Sequence, residues 1–151
     1  MKLLYIIIFV QINLYSQVKQ LTDFKELFDA LKNGGSVSAV IHYSSCRLVI
    51  DSVEAESPDA IGGMDITPFE YFSAGLFKNN PAYIASSQTV LIYIKKYGYV
   101  YNYVKLKIIE DNTVEVTARY LSVNDYKILM DETFYCSIND GIKGGVYLYL
   151  K

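Results

Sequence analysis

The feature that most constrains the fold of this chain is an alternation of apolar and polar side chains that begins after Gly34-Gly35. It is clearest in residues 37–43, 114–120 and 146–150. Successive side chains of a β-strand point to opposite faces, so a period of two predicts strands with one buried face. Fifteen tyrosines and only three prolines fit an ordered β protein. The sequence therefore predicts a β pattern from Ser36 onward.

One helix is predicted before these strands. Its apolar residues follow helical spacing and form one stripe: Leu21, Phe24, Leu27, Phe28 and Leu31. The hydroxyl of Thr22 is expected to cap the first turn. Gly34-Gly35 is expected to end the helix, because glycine adopts the left-handed conformation at low cost.

Turn residues divide the β region. Lys96-Tyr97-Gly98 separates the segments 89–95 and 99–109 and predicts a long hairpin. The remaining segments are assigned by their pattern: an exposed acidic loop over 51–60, strands over 64–72, 114–120, 133–138 and 146–150, and a polar stretch over 122–132 with room for one helical turn.

The N-terminus has the form of a secretory signal peptide. Lys2 precedes a short apolar run, Leu3 to Val10, and a small residue, Ser16, stands at a plausible cleavage point. The apolar run is about half as long as a membrane-spanning helix, so we expect removal and no stable membrane insertion. The prediction is a signal peptide over residues 1–16 and a single domain over 17–151, secreted to the periplasm or the extracellular space.

The two cysteines, Cys46 and Cys136, permit one intramolecular bridge in an oxidising compartment. Closing so long a loop stabilises a fold by about 4–5 kcal/mol in the chain-entropy model. The bridge would tie the first strand region to the penultimate strand, which a curled sheet allows more easily than a flat one. The predicted fold class is therefore α+β: an N-terminal amphipathic helix packed on a strongly bent, antiparallel, partly closed, barrel-like β-sheet.

The composition argues against several classes of function. A formal net charge of −2 provides no basic cluster for nucleic acid, so no nucleic-acid partner is expected. His42 is the single histidine, and its strand neighbours two residues away lie beyond hydrogen-bond reach. The carboxylates of residues 51–59 lack the spacing of a calcium loop. We expect no metal site, no cofactor and no enzymatic activity.

The high content of tyrosine is the feature of the composition that points to a function. Tyr99, Tyr101 and Tyr103 recur with a period of two on one face of the predicted hairpin, and Tyr93 is expected across from them. Exposed tyrosines provide rigid amphipathic contact area and are common in binding surfaces. The same spacing also arises where aromatic pairs merely stabilise a sheet. Both interpretations remain open at this point.

Four stretches of the chain, in this order, resemble the VirK family of small exported proteins: "LKNGGSVSAVIHYSSCRL", "IGGMDITPFEYF", "DNTVEVTARYLSVNDYK" and "FYCSINDGIKGGVYLY". The resemblance spans nearly the whole predicted domain, and Cys46 and Cys136 match the family's cysteine pair. It implies export, a common fold and a role facing a host or the environment. It supplies no catalytic residues.

The predicted function is that of a secreted, disulfide-bridged, non-enzymatic VirK-like domain that acts by binding a protein, a glycan or a small apolar ligand. Its contact surface is expected at Tyr93, Tyr99, Tyr101 and Tyr103. The alternative is a calycin-like carrier with an apolar pocket lined by residues such as Val100, Val104 and Leu106. A hydrolase that uses His42 is a third hypothesis.

Overall fold

The structure is a computed structural model that describes residues 18–78 and 80–151. The predicted signal peptide lies outside the described residues. Strands contain 56% of the described residues and helical segments 9%. The strands are β1 Lys19–Leu21, β2 Val37–His42, β3 Arg47–Ile50, β4 Val53–Ala55, β5 Ile61–Asp65, β6 Phe69–Phe72, β7 Tyr83–Ile94, β8 Gly98–Ile109, β9 Thr113–Ser122, β10 Ile128–Ser137 and β11 Val146–Leu150, and the helix α1 is Phe24–Lys32.

The strands form two antiparallel sheets. The small sheet has the order β1-β11-β2-β5, and the large sheet has the order β4-β3-β10-β9-β8-β7-β6. Each order has two ends, so neither sheet closes on itself. The predicted α+β class, with a helix packed on one bent and partly closed sheet, is wrong: the described residues are mainly antiparallel β, with one α-helix of nine residues.

The physical reason for this correction is that the chain passes from one sheet to the other. A 3-10 turn at Tyr43–Ser45 carries the chain from β2 in the small sheet to β3 in the large one. β10 and β11 are likewise divided between the two sheets. The early β3 therefore pairs with the late β10 although neither sheet closes into a barrel.

Inward-facing residues of both sheets and of α1 share one hydrophobic core. Its largest fully buried side chains come from both sheets, from α1 and from the segment between β5 and β6: Phe134, Leu21, Leu27, Ile41, Ile66, Ile84, Leu106, Ile108 and Leu148. The alternation of β2, in which Val37, Ala39 and Ile41 are buried, is the pattern expected from the sequence. Burial of such side chains is the main favourable term in folding.

The start of α1 differs in one detail from the sequence prediction. The N-cap is Asp23, whose side chain accepts a hydrogen bond of 2.7 Å from the backbone N–H of Glu26. Thr22 instead donates its backbone N–H to the Glu26 carboxylate at 2.9 Å. A carboxylate caps at least as well as a hydroxyl and also suits the positive end of the helix.

Three further segments differ from their predicted form. The strand predicted over 64–72 is divided between β5 and β6, because the chain changes sheets between them. The predicted loop over 51–60 contains β4, which pairs with β3. The end of the polar stretch over 122–132 belongs to β10.

The predicted hairpin is confirmed: β7 and β8 pair from Tyr83↔Ile109 to Ile94↔Gly98.

Candidate functional site

The predicted disulfide between Cys46 and Cys136 is present. Cys46 directly precedes β3, and its partner lies on β10, where Tyr135 pairs with Arg47. The two Cα atoms are 4.6 Å apart, and both cysteines are buried. The bond therefore fixes the point at which the chain enters the large sheet.

The predicted tyrosine ladder lies on the outer face of the β7–β8 hairpin. Tyr93 is directly opposite Tyr99, and Leu91 is opposite Tyr101. The rings of Tyr93 and Tyr99 meet edge to face with centroids 5.4 Å apart, and each residue is 64% exposed. The ring of Tyr101 stacks on that of Tyr126 at 5.9 Å.

We call Leu91, Tyr93, Tyr99, Tyr101 and Tyr126 the tyrosine patch. Leu91 is 58% exposed, and the alternation that places it beside Tyr93 was visible in the sequence. Nothing in the sequence pattern pointed to Tyr126, which comes from the loop between β9 and β10.

Tyr103 is half-buried and borders a separate groove of about 360 Å³ with Phe72, Tyr83 and Lys105.

On its inner face, the large sheet extends beyond the small sheet that covers it. Along β7, Ile84 and Ser86 are buried, whereas Gln88 and Val90 are exposed. Along β10, Phe134 is buried, and Glu132 is half-buried. The small sheet therefore stops covering the inner face about halfway along the long strands, although Val100, farther along β8 on the same face, is buried.

A cleft separates this uncovered face from β5, the edge strand of the small sheet. It has two chambers of about 130 and 240 Å³, and both are lined by Tyr43, Gly62, Asn102 and Val104. The smaller chamber continues along β5 to Gly63 and Met64 and meets Gln88 and Val90 of β7. The larger chamber reaches Ala118 and Tyr120 of β9 and Met130 and Glu132 of β10, with Pro58, Ala60 and Ile61 on the opposite side. We call this space the β5 cleft.

Tyr43 is central to the β5 cleft. Its ring packs on Phe134 with centroids 4.7 Å apart. A Cβ on Gly62 would approach that ring to 3.0 Å, so glycine lets the ring lie close to β5. Burial raises the pKa of the Tyr43 hydroxyl, and the neighbouring Tyr120 and Glu132 act in the same direction.

Glu132 is the charged residue among those that line the two chambers. Burial raises the pKa of its carboxyl. Burial also raises the pKa of Tyr120, and the nearby Glu132 charge adds to the effect. Within the described residues, no side-chain hydrogen bond or ion pair engages the Glu132 carboxylate. The cleft thus combines mixed apolar and polar walls with one carboxyl group that has no hydrogen-bond or ion-pair partner among the described side chains.

The histidine and the acidic loop provide no assembled catalytic group in the described residues. The backbone N–H of His42 donates to the Gly145 carbonyl at 2.8 Å, and its ring packs on Tyr147 at 4.9 Å. Glu54 lies on β4, 3.8 Å from the Arg47 guanidinium. Across residues 18–78 and 80–151, no group of three or more metal-ligating side chains comes together.

The three side chains that were proposed to line a carrier pocket differ in their positions. Val100 and Leu106 are fully buried, and Val104 lines the β5 cleft. The structure therefore gives the carrier hypothesis no more support than the binding hypothesis.

Within the described part of the chain, no helix combines the length and the apolar character needed to cross a bilayer.

These features define a disulfide-bridged, two-sheet antiparallel β domain with an aromatic patch on one face and a cleft on the other. A family model described as VirK protein matches residues 20–126. The chain belongs to the VirK family.

A solved structure has the same fold. The crystal structure of lpg1832, a VirK family protein from Legionella pneumophila, superposes with a TM-score of 0.66 and 14% sequence identity, over 85% of this chain and 97% of the other. At that identity the likeness is one of fold. A comparison with curated protein sequences gives no significant match.

Proposed function

We propose that this VirK-family domain is exported, has no catalytic activity of its own, and acts by binding a partner protein through the tyrosine patch. The observation that carries the proposal is the exposure of Tyr93 and Tyr99, two large rings that contact each other on the surface. Exposed contiguous aromatic and aliphatic side chains are typical of binding surfaces, and tyrosine is enriched at interface hot spots.

The chemistry of the patch favours a protein over a glycan. Tyr93 and Tyr99 are inclined at 71° to each other and do not form one flat platform for a sugar ring. Leu91 adds exposed aliphatic surface beside them, and Ile128 is another exposed aliphatic side chain at the start of β10. Lys95 and Lys96, at the turn of the hairpin, supply an exposed charged rim. An apolar centre with a charged rim is the usual anatomy of a protein interface.

Export is supported by the sequence of the first sixteen residues and by the disulfide, since such bonds persist mainly in oxidising compartments. The intact mass of the protein from its native source, measured before and after reduction and alkylation, tests this part. We expect a chain that begins at Gln17 and takes up two alkyl groups only after reduction. A full-length chain with free thiols would contradict export.

Affinity capture with three baits tests the binding surface: the wild type, the pair Tyr93→Ser/Tyr99→Ser, and Tyr135→Ser. Tyr135 is an exposed tyrosine on β10, outside the patch, and serves as the matched control. A captured protein is then purified and its Kd measured with each bait. We expect the paired variant to lose about 2 kcal/mol or more, roughly 30-fold in Kd, and Tyr135→Ser to bind like the wild type.

Several results would contradict this surface. Equal affinity of the wild type and the paired variant would remove the patch as the contact site. Loss of the native fold in the paired variant, seen as a cooperative transition that disappears, would show that the rings stabilise the sheet. Binding of a glycan, abolished by the same pair, would replace the protein partner with a carbohydrate.

A further inference from the structure

The β5 cleft is a second candidate interaction site, independent of the tyrosine patch. It lies against the inner face of the large sheet, whereas the patch lies on the outer face. Successive side chains of a strand point to opposite faces, which places Asn102 and Val104 of β8 on the side opposite Tyr101 and Tyr103. A ligand in the cleft therefore leaves the patch free.

One wall of the cleft is the free edge of β5. The backbone N–H of Tyr43 donates to the Ala60 carbonyl at 3.0 Å, and the N–H of Ile66 donates to the Val37 carbonyl at 2.8 Å. Because hydrogen bonding alternates along an antiparallel strand, Gly62 and Met64 also face β2. The N–H and C=O groups of Ile61, Gly63 and Asp65 consequently point to the open edge.

The other wall is the uncovered inner face of the large sheet. The small sheet ends at β5, while β7, β8, β9 and β10 continue past it. One more strand on β5 would lie over Gln88, Val90 and Asn102, the polar and apolar side chains that the small sheet leaves uncovered. An unpaired strand edge is a ready template for such an addition.

The charge in the cleft indicates which side chain the added strand would carry. Glu132 lies in the larger chamber beside Tyr120, Met130 and Ala118, near the beginning of β5. A half-buried carboxylate that has no ion-pair partner in the described chain is suited to an ammonium or guanidinium group. The adjacent tyrosine rings add favourable contact with a cation.

We propose that the β5 cleft binds an extended segment of a partner protein, which adds a strand to the free edge of β5 and places a lysine or arginine side chain at Glu132. Alternate residues of the segment point toward the large sheet and fill the two chambers. Main-chain hydrogen bonds to Ile61, Gly63 and Asp65 provide affinity, and the chamber at Glu132 provides the preference for a basic residue.

The probe is a displayed library of random nine-residue peptides, selected on the full chain. We expect enrichment of sequences with one lysine or arginine at a fixed position between residues that favour extended structure. The best peptide is then synthesised in two series, each N-methylated at every second backbone nitrogen but in opposite phase. Only one phase removes donors that face β5, so one series should lose binding and the other should keep it.

Two variants test the role of the carboxylate. Glu132→Gln keeps the shape of the side chain and removes its charge, so we expect the Kd for the basic peptide to rise about tenfold or more. Glu54→Gln alters an exposed glutamate outside the cleft and should bind like the wild type. A peptide with norleucine in place of its basic residue should bind the wild type and Glu132→Gln equally.

The proposal is overturned if the selection yields no enrichment, or if the enriched peptides lack a basic residue at a fixed position. It is also overturned if both N-methylated series bind equally, because strand addition requires one phase. Agmatine binding as tightly as the peptide would make the cleft a site for a small organic cation instead. A dimer of the free protein with slow hydrogen exchange at Gly63 would assign the edge to a second copy of this chain.

Discussion

Gly145 lies against Cys46: a Cβ built on the glycine would be 2.7 Å from the Sγ of the disulfide. It would also approach the carbonyl oxygens of His42 and Ser45 to 3.2 and 3.3 Å. The backbone of Gly145 is held there, because its carbonyl accepts the 2.8 Å hydrogen bond from His42 that starts the pairing of β2 with β11. A larger residue therefore cannot replace Gly145 beside the disulfide unless the neighbouring atoms move.

Gly145→Ala is expected to lower the free energy of unfolding by about 1–3 kcal/mol, because overpacking of a well-packed site costs that much. Urea denaturation measures the change. Gly63→Ala is the matched control: its Cβ would meet only the Ala39 carbonyl, at an ordinary 3.6 Å, and we expect a change within about 0.5 kcal/mol. Equal effects of the two substitutions would contradict the close packing at Cys46.

Removal of the disulfide by Cys46→Ala/Cys136→Ala is expected to destabilise the protein by about 4–5 kcal/mol. The cysteines are separated by 90 residues, so the bond removes much of the freedom of the unfolded chain. Reduction with dithiothreitol should lower the urea midpoint of the wild type and leave that of the variant unchanged. A loss below about 1 kcal/mol would show that the bond constrains the unfolded state little.

The Asn139 side chain holds together the turn before β11. Its Oδ1 accepts hydrogen bonds from the N–H of Gly141 at 2.9 Å and from the Gln20 amide at 3.0 Å, while its Nδ2 donates to the Gly144 carbonyl at 3.0 Å. Asn139→Ala removes three part-buried hydrogen bonds, so we expect the free energy of unfolding to fall by about 1–3 kcal/mol. Thermal unfolding measures it. Asn124→Ala, at an exposed loop position, should change stability by less than about 0.5 kcal/mol. A similar change in both variants would refute this role of the turn.

Local patterns in the sequence were sufficient to predict several elements. The helical spacing predicts the helix from Phe24 to Leu31, although Leu21, which was assigned to the same stripe, lies on β1. The turn at Gly98 predicts the hairpin and the pairing of Tyr93 with Tyr99. These features depend on residues close together in the chain. The turn sets the register of the strands that flank it, and side-chain period sets which residues share a face.

Features that depend on distant residues were not predictable. The sequence pattern predicts a strand over 133–138, at the end of β10, but it predicts none at β3. Nor does it show which strands are neighbours or that β2 belongs to another sheet. The β5 cleft was missed for the same reason, since it exists only because the large sheet extends past the small one. Glu132 falls in a segment that reads as polar loop, and only the fold places its carboxyl group beside Tyr120.

The carboxyl group of Glu132 makes stability depend on pH. Burial raises its pKa in the folded protein, so the native state keeps this proton to a higher pH than the unfolded chain does. The free energy of unfolding therefore falls as the pH rises from the pKa of this carboxyl in the unfolded chain, about 4.3, through its raised pKa in the folded protein. The neighbouring hydroxyls of Tyr43 and Tyr120 stay neutral in this range, because their pKa values are also raised.

Glu132→Gln removes this titration and keeps the size of the side chain. We expect the variant to be more stable than the wild type at pH 7 and to lose that advantage below about pH 4, where the wild-type carboxyl is protonated in both states. Urea denaturation of both proteins from pH 3 to pH 8 measures the difference, with the low-pH points as the internal control. A variant that is less stable than the wild type at pH 7 would show that the carboxylate is stabilised in the fold. In that case Glu132 already has a partner within the protein, and the cleft has no charge to offer a basic residue.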